Sequence, residues 1–121
     1  MAVYRLTRGI DVRDVASAHA CTVEKRLPGF RRFIISGPTP FNKCCCENLY
    51  QNADVVLREY AQNLVETFES RGWDLPKSLD RVYDSTLAQK ELGWLPIHGY
   101  ESVLNLLDDE ISEVLPVRGY Q

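Results

Sequence analysis

The sequence predicts an α/β protein that is rich in helix and has a few short strands. Three observations indicate this fold class. Apolar residues recur at helical spacing in several stretches, β-favouring runs lie between them, and turn residues separate the two kinds of segment. Helices that alternate with extended segments are typical of α/β folds. The 121 residues, 45% apolar and 26% charged, are expected to form one soluble domain.

The extended segments are predicted at residues 3–6, 9–12, 31–37 and 81–84. The segment at 31–37, RRFIISG, carries a continuous apolar run. Such a run is typical of a strand that is covered on both faces, as in a parallel sheet. The segment at 81–84, RVYD, is short and β-favouring, and Asp84 or Ser85 is expected to cap the helix that follows.

Helices are predicted over residues 13–26, over a segment capped by Asn42 that contains three cysteines, and over residues 54–71, 85–92 and 101–114. Two of them are expected to end on Gly72 and Gly93, each followed by Trp, because glycine accepts the left-handed conformation that closes a helix. Residues 116–121 are expected to be a frayed tail.

Each predicted helix has an expected buried face. For residues 13–26 that face consists of Val12, Val15, Ala16, His19, Ala20 and Val23. For residues 54–71 it consists of Val56, Tyr60, Ala61, Leu64 and Phe68, and for residues 85–92 of Leu87, Ala88 and Leu92. The last helix is expected to bury Val103, Leu107, Ile111 and Val114 and to expose Asp108, Asp109, Glu110 and Glu113. An acidic face of this kind is more typical of solvation than of a metal site.

The cysteines occur as Cys21 alone and as Cys44, Cys45 and Cys46 together. Consecutive helical residues point about 100° apart, so this spacing is not a disulfide framework. Free thiols are favoured over a metal or redox site because no Cys-x-x-Cys pair occurs. Free thiols, together with the lack of an apolar leader at residues 1–12, predict a cytoplasmic protein. The net charge of −3 and the lack of a long apolar run argue against nucleic-acid and membrane partners.

The sequence has no glycine-rich dinucleotide loop, nucleophile elbow or zinc-protease motif, so no catalytic, cofactor-binding or metal-binding residue is assigned. Arg8, Asp11 and Arg81 are the candidate substrate-binding residues, because polar residues at strand ends contact ligands in open α/β sheets. Helix capping by Asp11 and solvation of the two arginines are the alternative explanation.

Two segments resemble the extended short-chain dehydrogenases/reductases, the NAD-dependent epimerase/dehydratase family. Residues 9–19, GIDVRDVASAH, resemble the family's strand leading into a D-V-A helix start. Residues 82–96, VYDSTLAQKELGWLP, resemble a later segment in which Asp is followed by Ser, a short helix and L-G-W-x-P. The intervening RRFIISGPTPF matches in order. The resemblance covers most of the chain but only the carboxy-terminal portion of the family.

In this family, NAD or NADP binds to an amino-terminal Rossmann half, and a Tyr-x-x-x-Lys pair transfers the proton. Five tyrosines of this chain have no lysine four positions later. They are Tyr4, Tyr50, Tyr60, Tyr83 and Tyr100, followed at that spacing by Arg8, Asp54, Leu64, Leu87 and Leu104. The resemblance therefore implies a partial domain, residues 1–121, that forms the substrate-binding lobe and lacks the Rossmann half.

The resemblance also implies a function and partners. The chain is expected to be the substrate-binding part of a sugar or nucleotide-sugar epimerase, dehydratase or reductase-like enzyme, and to be inactive alone. NAD or NADP would serve the full-length enzyme, but no cofactor is expected to bind this chain by itself. The expected partners are the missing Rossmann half, or a second copy through exposed apolar surface, and a small-molecule substrate. A non-catalytic binding or interaction module that keeps the lobe fold is the alternative.

Overall fold

The structure is a computed structural model that describes residues 1–109, in which the chain forms seven α-helices and a single 3-10 turn at Lys43–Cys45. The helices are α1 (Ala2–Thr7), α2 (Val12–Lys25), α3 (Cys46–Gln51), α4 (Ala53–Tyr60), α5 (Gln62–Ser70), α6 (Thr86–Leu92) and α7 (Tyr100–Asp108). No β-strand occurs among these residues, so the predicted α/β fold is wrong. The expected tail at residues 116–121, like Ile111 and Val114, lies outside the described residues.

The helices pack around two groups of buried side chains. The first cluster joins α1, α3, α4, α5 and α7, with Leu6, Leu49, Leu57 and Leu64 fully buried within it. The second cluster joins α2 and α6 through Ala18, Ala88, Leu92 and Trp94. Phe33 and Ile35 from the segment between α2 and α3 pack against the second cluster. The molecule therefore has a larger core and a smaller one, and the smaller core is formed mainly by α2, α6 and the segment between α2 and α3.

The predicted strands are absent for two different reasons. Residues 3–6 lie within α1, because helical spacing buries both Ala2 and Leu6 against the first cluster. Residues 9–11, 31–37 and 81–84 are neither helical nor paired in a ladder. The backbone hydrogen bonds in these segments are isolated ones, such as the bond from the Gly37 amide to the Gly9 carbonyl at 2.9 Å. A strand exists only where a neighbouring strand supplies a continuous ladder, and none is present among residues 1–109.

Helix α2 forms as predicted, but it presents the opposite face to the core. Val12 and Val23 are 77% and 71% exposed, and Ala16, His19 and Ala20 are also exposed. The buried positions are Asp14 and Ala18. Cys21 lies on the same face at helical spacing and packs against the second cluster. The predicted buried face of α2 is therefore wrong, and it forms an apolar stripe in solvent (Val12, Ala16, Ala20 and Val23).

The helix predicted over residues 54–71 is interrupted at Ala61, where φ is −137° and ψ is 52°. Ala61 is nevertheless fully buried, as is Leu64, so α4 and α5 both face the first cluster. A similar break at Asn52 separates α3 from α4. There the free amide of Ala53 donates to the carbonyl of Lys77 at 3.1 Å. Neither break lies at a proline or a glycine. The break at Asn52 accompanies the bond from Ala53 to Lys77, and the break at Ala61 accompanies burial of its side chain in the first cluster.

Four predicted capping and closing residues have the expected geometry. The carboxylate of Asp11 accepts from the Arg13 amide, and the amide oxygen of Asn42 accepts from the Cys44 amide, both at 2.9 Å. Gly72 and Gly93 have φ of 68° and 62°, as expected for left-handed closing residues.

The buried face of α6 is only partly as predicted. Ala88 and Leu92 are buried, but Leu87 is 55% exposed. In α7, Val103 and Leu107 are buried and Asp108 is exposed, all as predicted. None of the helices among residues 1–109 combines the length and the apolar character needed to cross a bilayer.

Candidate functional site

Trp94, which follows the closing glycine of α6, joins that turn to the start of α2. Its indole Nε1 donates to the Ser17 hydroxyl at 2.9 Å and to the Asp14 carbonyl at 3.2 Å. The ring is 3% exposed and packs with Ala88 and Leu92 in the second cluster. The turn after α6 is therefore held against the first turns of α2 by both apolar contact and hydrogen bonds.

The carboxylate of Asp14 connects α2 to the two residues that follow this turn region, Ile97 and His98. It accepts from the backbone amides of Ile97 and His98, at 3.2 and 2.9 Å, and from Nδ1 of His98 at 2.9 Å. Burial by itself would raise the pKa of Asp14, but hydrogen bonds from the side chain and backbone of His98 and from the Ile97 amide lower it. Asp14 is thus an ionised, almost fully buried residue that fixes the chain after α6.

The non-helical segments meet at the end of α1. The Tyr83 amide donates to the Thr7 carbonyl at 2.8 Å, and the Ser36 hydroxyl donates to the Tyr83 carbonyl at 3.4 Å. Nearby, the Gly37 amide donates to the Gly9 carbonyl. These contacts place residues 7–9, 36–37 and 83 side by side, although they are distant in sequence.

A groove lies next to this meeting point. It consists of two adjoining cavities of about 370 and 260 Å³, which share Thr39, Phe41, Asp84 and Thr86 in their walls. The larger cavity is also lined by Asn42, Lys43, Cys46, Val82 and Tyr83. The smaller is also lined by Gly37, Pro38, Ser85, Gln89, Leu95 and Pro96. We call this feature the Asp84 groove.

The Asp84 groove contains both charged and neutral polar groups. Oδ1 of Asp84 accepts from the amide and hydroxyl of Thr86, and these bonds, with a smaller contribution from the charge of Lys43, lower the pKa of the carboxyl. Oδ2 accepts no hydrogen bond from residues 1–109 and is free to accept one from a ligand. Lys43 also lines the larger cavity and supplies a hydrogen-bond donor there. Phe41 and Tyr83 contribute aromatic surface.

Arg8 and Arg81, two of the predicted substrate-binding residues, lie on either side of Asp80. A guanidinium nitrogen of Arg8 is 3.8 Å from one carboxylate oxygen of Asp80, and Nε of Arg81 is 3.4 Å from the other. Arg8 also lies over the ring of Tyr4, at 5.3 Å from its centroid. Arg81 lines a small cavity of about 40 Å³ that shares Cys46 and Val82 with the Asp84 groove.

Asp11, the third predicted residue, has a different environment. Its carboxylate caps α2 and forms salt bridges with Arg13 at 2.9 Å and Arg5 at 3.1 Å. The hydrogen bond from Arg13 holds the pKa of Asp11 well below its usual range. Neither cavity of the Asp84 groove is lined by Arg8 or Asp11. The structure therefore brings Arg8 and Arg81 together and places Asp11 in a capping role.

The four cysteines are free thiols with different exposure. Cys45 is buried in the first cluster, Cys44 and Cys46 are exposed, and Cys21 is half-buried. Among residues 1–109, no group of three or more His, Cys, Asp and Glu side chains is arranged to hold a metal ion. His19, expected on the buried face of α2, is exposed, and its Nδ1 lies 2.9 Å from the Val15 carbonyl oxygen.

The residues of the Asp84 groove were not identified from the sequence. Asn42 and Asp84 were recognised only as helix caps, and Lys43 and Thr39 carry no motif. The signal that could have identified them is that Asn42 and Asp84 are both capping residues, each following a non-helical segment. The sequence does not show that the start of α6 and the turn before α3 face one another.

Comparison of the chain with known proteins found no matching family model, no matching curated protein and no matching solved structure.

Proposed function

We propose that this chain is the substrate-binding part of an NAD(P)-dependent sugar or nucleotide-sugar epimerase, dehydratase or reductase-like enzyme, and that it is inactive alone. The observation that supports this most strongly is the convergence of the segments that resemble the family. Residues 9–19 and 82–96 are joined through Asp14, Ser17 and Trp94, and residues 31–41 border the same unit. Segments that resemble one family in sequence order thus also form one packed unit.

The Asp84 groove is the proposed substrate site. Its larger cavity, about 370 Å³, is within the size range of small-molecule sites. A sugar presents hydroxyl groups that both donate and accept, and a face of C–H groups that packs on aromatic rings. Lys43, the free Oδ2 of Asp84 and the aromatic rings of Phe41 and Tyr83 match those needs. Arg81, beside the groove, is the residue that would contact a phosphate of a nucleotide sugar.

The exposed stripe on α2 is the surface we assign to the missing nucleotide-binding half. Val12, Ala16, Ala20 and Val23 lie at the spacing of a core-facing helix but are in solvent. Apolar stripes of this kind mark sites of association. The nucleotide-binding half would supply the cofactor loop and the Tyr-x-x-x-Lys pair.

Substrate binding is tested by titrating UDP-glucose, and glucose separately, into the chain while its amide resonances are recorded. The expected result is saturable shifts at Lys43, Asp84 and Thr86. Lys43→Ala and Asp84→Asn should weaken binding by about tenfold, since each removes a polar contact worth about 1–1.5 kcal/mol. Asn retains the capping oxygen of Asp84. Lys77→Ala, an exposed lysine outside the groove, is the matched control.

The proposal that this chain is inactive alone has its own test. The isolated chain, incubated with NAD or NADP and sugar-nucleotide substrates, should show no turnover. Measurable turnover by the chain alone would contradict the proposal. The coding sequence upstream of Met1 should encode a glycine-rich loop and a Tyr-x-x-x-Lys pair, and a sequence without either would also count against it.

A non-catalytic interaction module is the second candidate, and one observation favours it. Among residues 1–109, every buried side-chain nitrogen and oxygen has a hydrogen-bond partner, as expected of a unit that folds without a second half. This candidate predicts a monomer at high concentration by sedimentation and a single cooperative thermal transition. Concentration-dependent association would instead favour the enzyme lobe with a bare interface.

A further inference from the structure

The segment between α2 and α3 has the features of an unpaired extended edge. Phe33 and Ile35 pack against the second cluster, whereas Ile34 between them is 55% exposed and Phe30 is 92% exposed. Alternation with a period of two is the pattern of an extended chain with one face covered. One side of this segment therefore belongs to the core, and the other presents apolar groups to solvent.

The backbone of this segment is also unpaired. Within residues 1–109, the amides and carbonyls of residues 31–35 make no hydrogen bond, and the first pairing occurs where Gly37 donates to Gly9. Arg31, Arg32 and Ile34 are exposed, so another molecule can approach this side of the segment. A row of unpaired backbone donors and acceptors beside exposed side chains is a template for an added strand.

The charges around this edge are mainly positive. Arg26, Arg31 and Arg32 are exposed, and Lys25 lies immediately before them. Among residues 24–32 the one acidic residue is Glu24, and Glu91 on α6 lies 3.8 Å from Arg31. This stretch forms a basic patch of four positive charges and one negative charge in a chain whose net charge is −3. This patch favours a negatively charged partner.

We propose that residues 31–35 bind an extended segment of a partner protein, in which carboxylates flank a short apolar core. The partner backbone would bond the free amides and carbonyls, its apolar side chains would cover Ile34 and Phe30, and its carboxylates would meet Arg31 and Arg32. A second copy of this chain fits less well, because its own segment brings arginines and no carboxylates to the pairing. The edge would bind this partner whether or not the chain belongs to an NAD(P)-dependent enzyme.

The test uses the whole chain and two fluorescein-labelled ten-residue peptides. One carries glutamates on both sides of a Val-Thr-Val-Thr core, and the other carries lysines in the same places. Fluorescence anisotropy should show binding of the glutamate peptide at least tenfold tighter than that of the lysine peptide. Addition of the glutamate peptide should shift the amide resonances of Arg31, Ile34 and Ile35.

Two variants separate backbone pairing from charge. Ile34→Pro removes an unpaired amide and should weaken binding of the glutamate peptide about tenfold, whereas Ile34→Val, which keeps both the amide and an apolar side chain, should not. The double variant Arg31→Glu with Arg32→Glu should reverse the preference between the peptides. Arg31 and Arg32 are exposed, so the double variant is expected to fold even if Ile34→Pro is unstable.

Several results would overturn the proposal. These are equal binding of both peptides, no binding of either, glutamate-peptide binding that survives Ile34→Pro in a folded protein, and resonance shifts confined to other residues. Dimerisation that Ile34→Pro abolishes, with no peptide binding, would assign the edge to a second copy instead.

Discussion

The carboxylate of Asp14 lies 2.9 Å from both the backbone amide and the ring Nδ1 of His98, a residue 84 positions away in the sequence. Asp14 is 1% exposed, and an ionised carboxylate only accepts hydrogen bonds, so Nδ1 is the donor. This contact connects the start of α2 to the segment between α6 and α7. The position of the chain after α6 relative to α2 depends on it.

We expect Asp14→Ala to lower the free energy of unfolding by about 2–3 kcal/mol, because it leaves the amides of Ile97 and His98 without an acceptor in a buried site. Urea denaturation followed by circular dichroism measures this change. Asp74→Ala is the control at an exposed carboxylate and should change stability by less than about 0.5 kcal/mol. Equal effects of the two substitutions would contradict the structural role of Asp14.

The lowered pKa values of Asp11 and Asp14 predict how stability depends on pH. An aspartate whose pKa is lower in the folded state than its unfolded value, about 3.9, stabilises the fold above that value. The contribution is lost as the pH falls below it. Unfolding free energies should therefore decrease from about pH 5 to pH 2. Asp14→Asn should reduce the slope, and a wild-type stability that rises toward acid would contradict this.

Trp94→Phe should lower the free energy of unfolding by about 1–3 kcal/mol. The substitution removes the donor to Ser17 and Asp14 as well as buried ring volume. Trp73→Phe is the matched control, since Trp73 is half-buried at the edge of the first cluster, where its ring packs with Phe68 and Arg71. Thermal unfolding of both variants gives the comparison, and a larger loss for Trp73→Phe would be inconsistent with the structure.

The apolar stripe on α2 predicts an effect on association instead of stability. Val12→Lys combined with Val23→Lys should weaken self-association, or binding to a nucleotide-binding half, while the free energy of unfolding changes by less than about 0.5 kcal/mol. Sedimentation velocity at several concentrations measures the first effect. Val55→Lys, at a residue 60% exposed on α4, is the control for added charge. The same association in all three proteins would exclude the stripe as the interface.

Much of the helical content could be predicted because it depends on residues close in sequence. The caps at Asp11, Asn42 and Asp84 and the closing glycines Gly72 and Gly93 each act within one helical turn. None of the three predicted site residues lines the Asp84 groove. Arg8 and Arg81 lie together at Asp80, and Asp11 caps α2.

The sequence by itself determined both ends of α2 and α6, since capping and left-handed closure involve neighbouring residues. Only the tertiary structure decided which face of α2 is buried, because hydrogen bonds to His98 and Trp94 draw the Asp14 side inward against the apolar pattern. It also decided that residues 31–37 and 81–84 form no sheet, since a strand requires a partner that residues 1–109 do not provide. Faces, pairing and grooves depend on contacts between distant segments, and local patterns do not contain them.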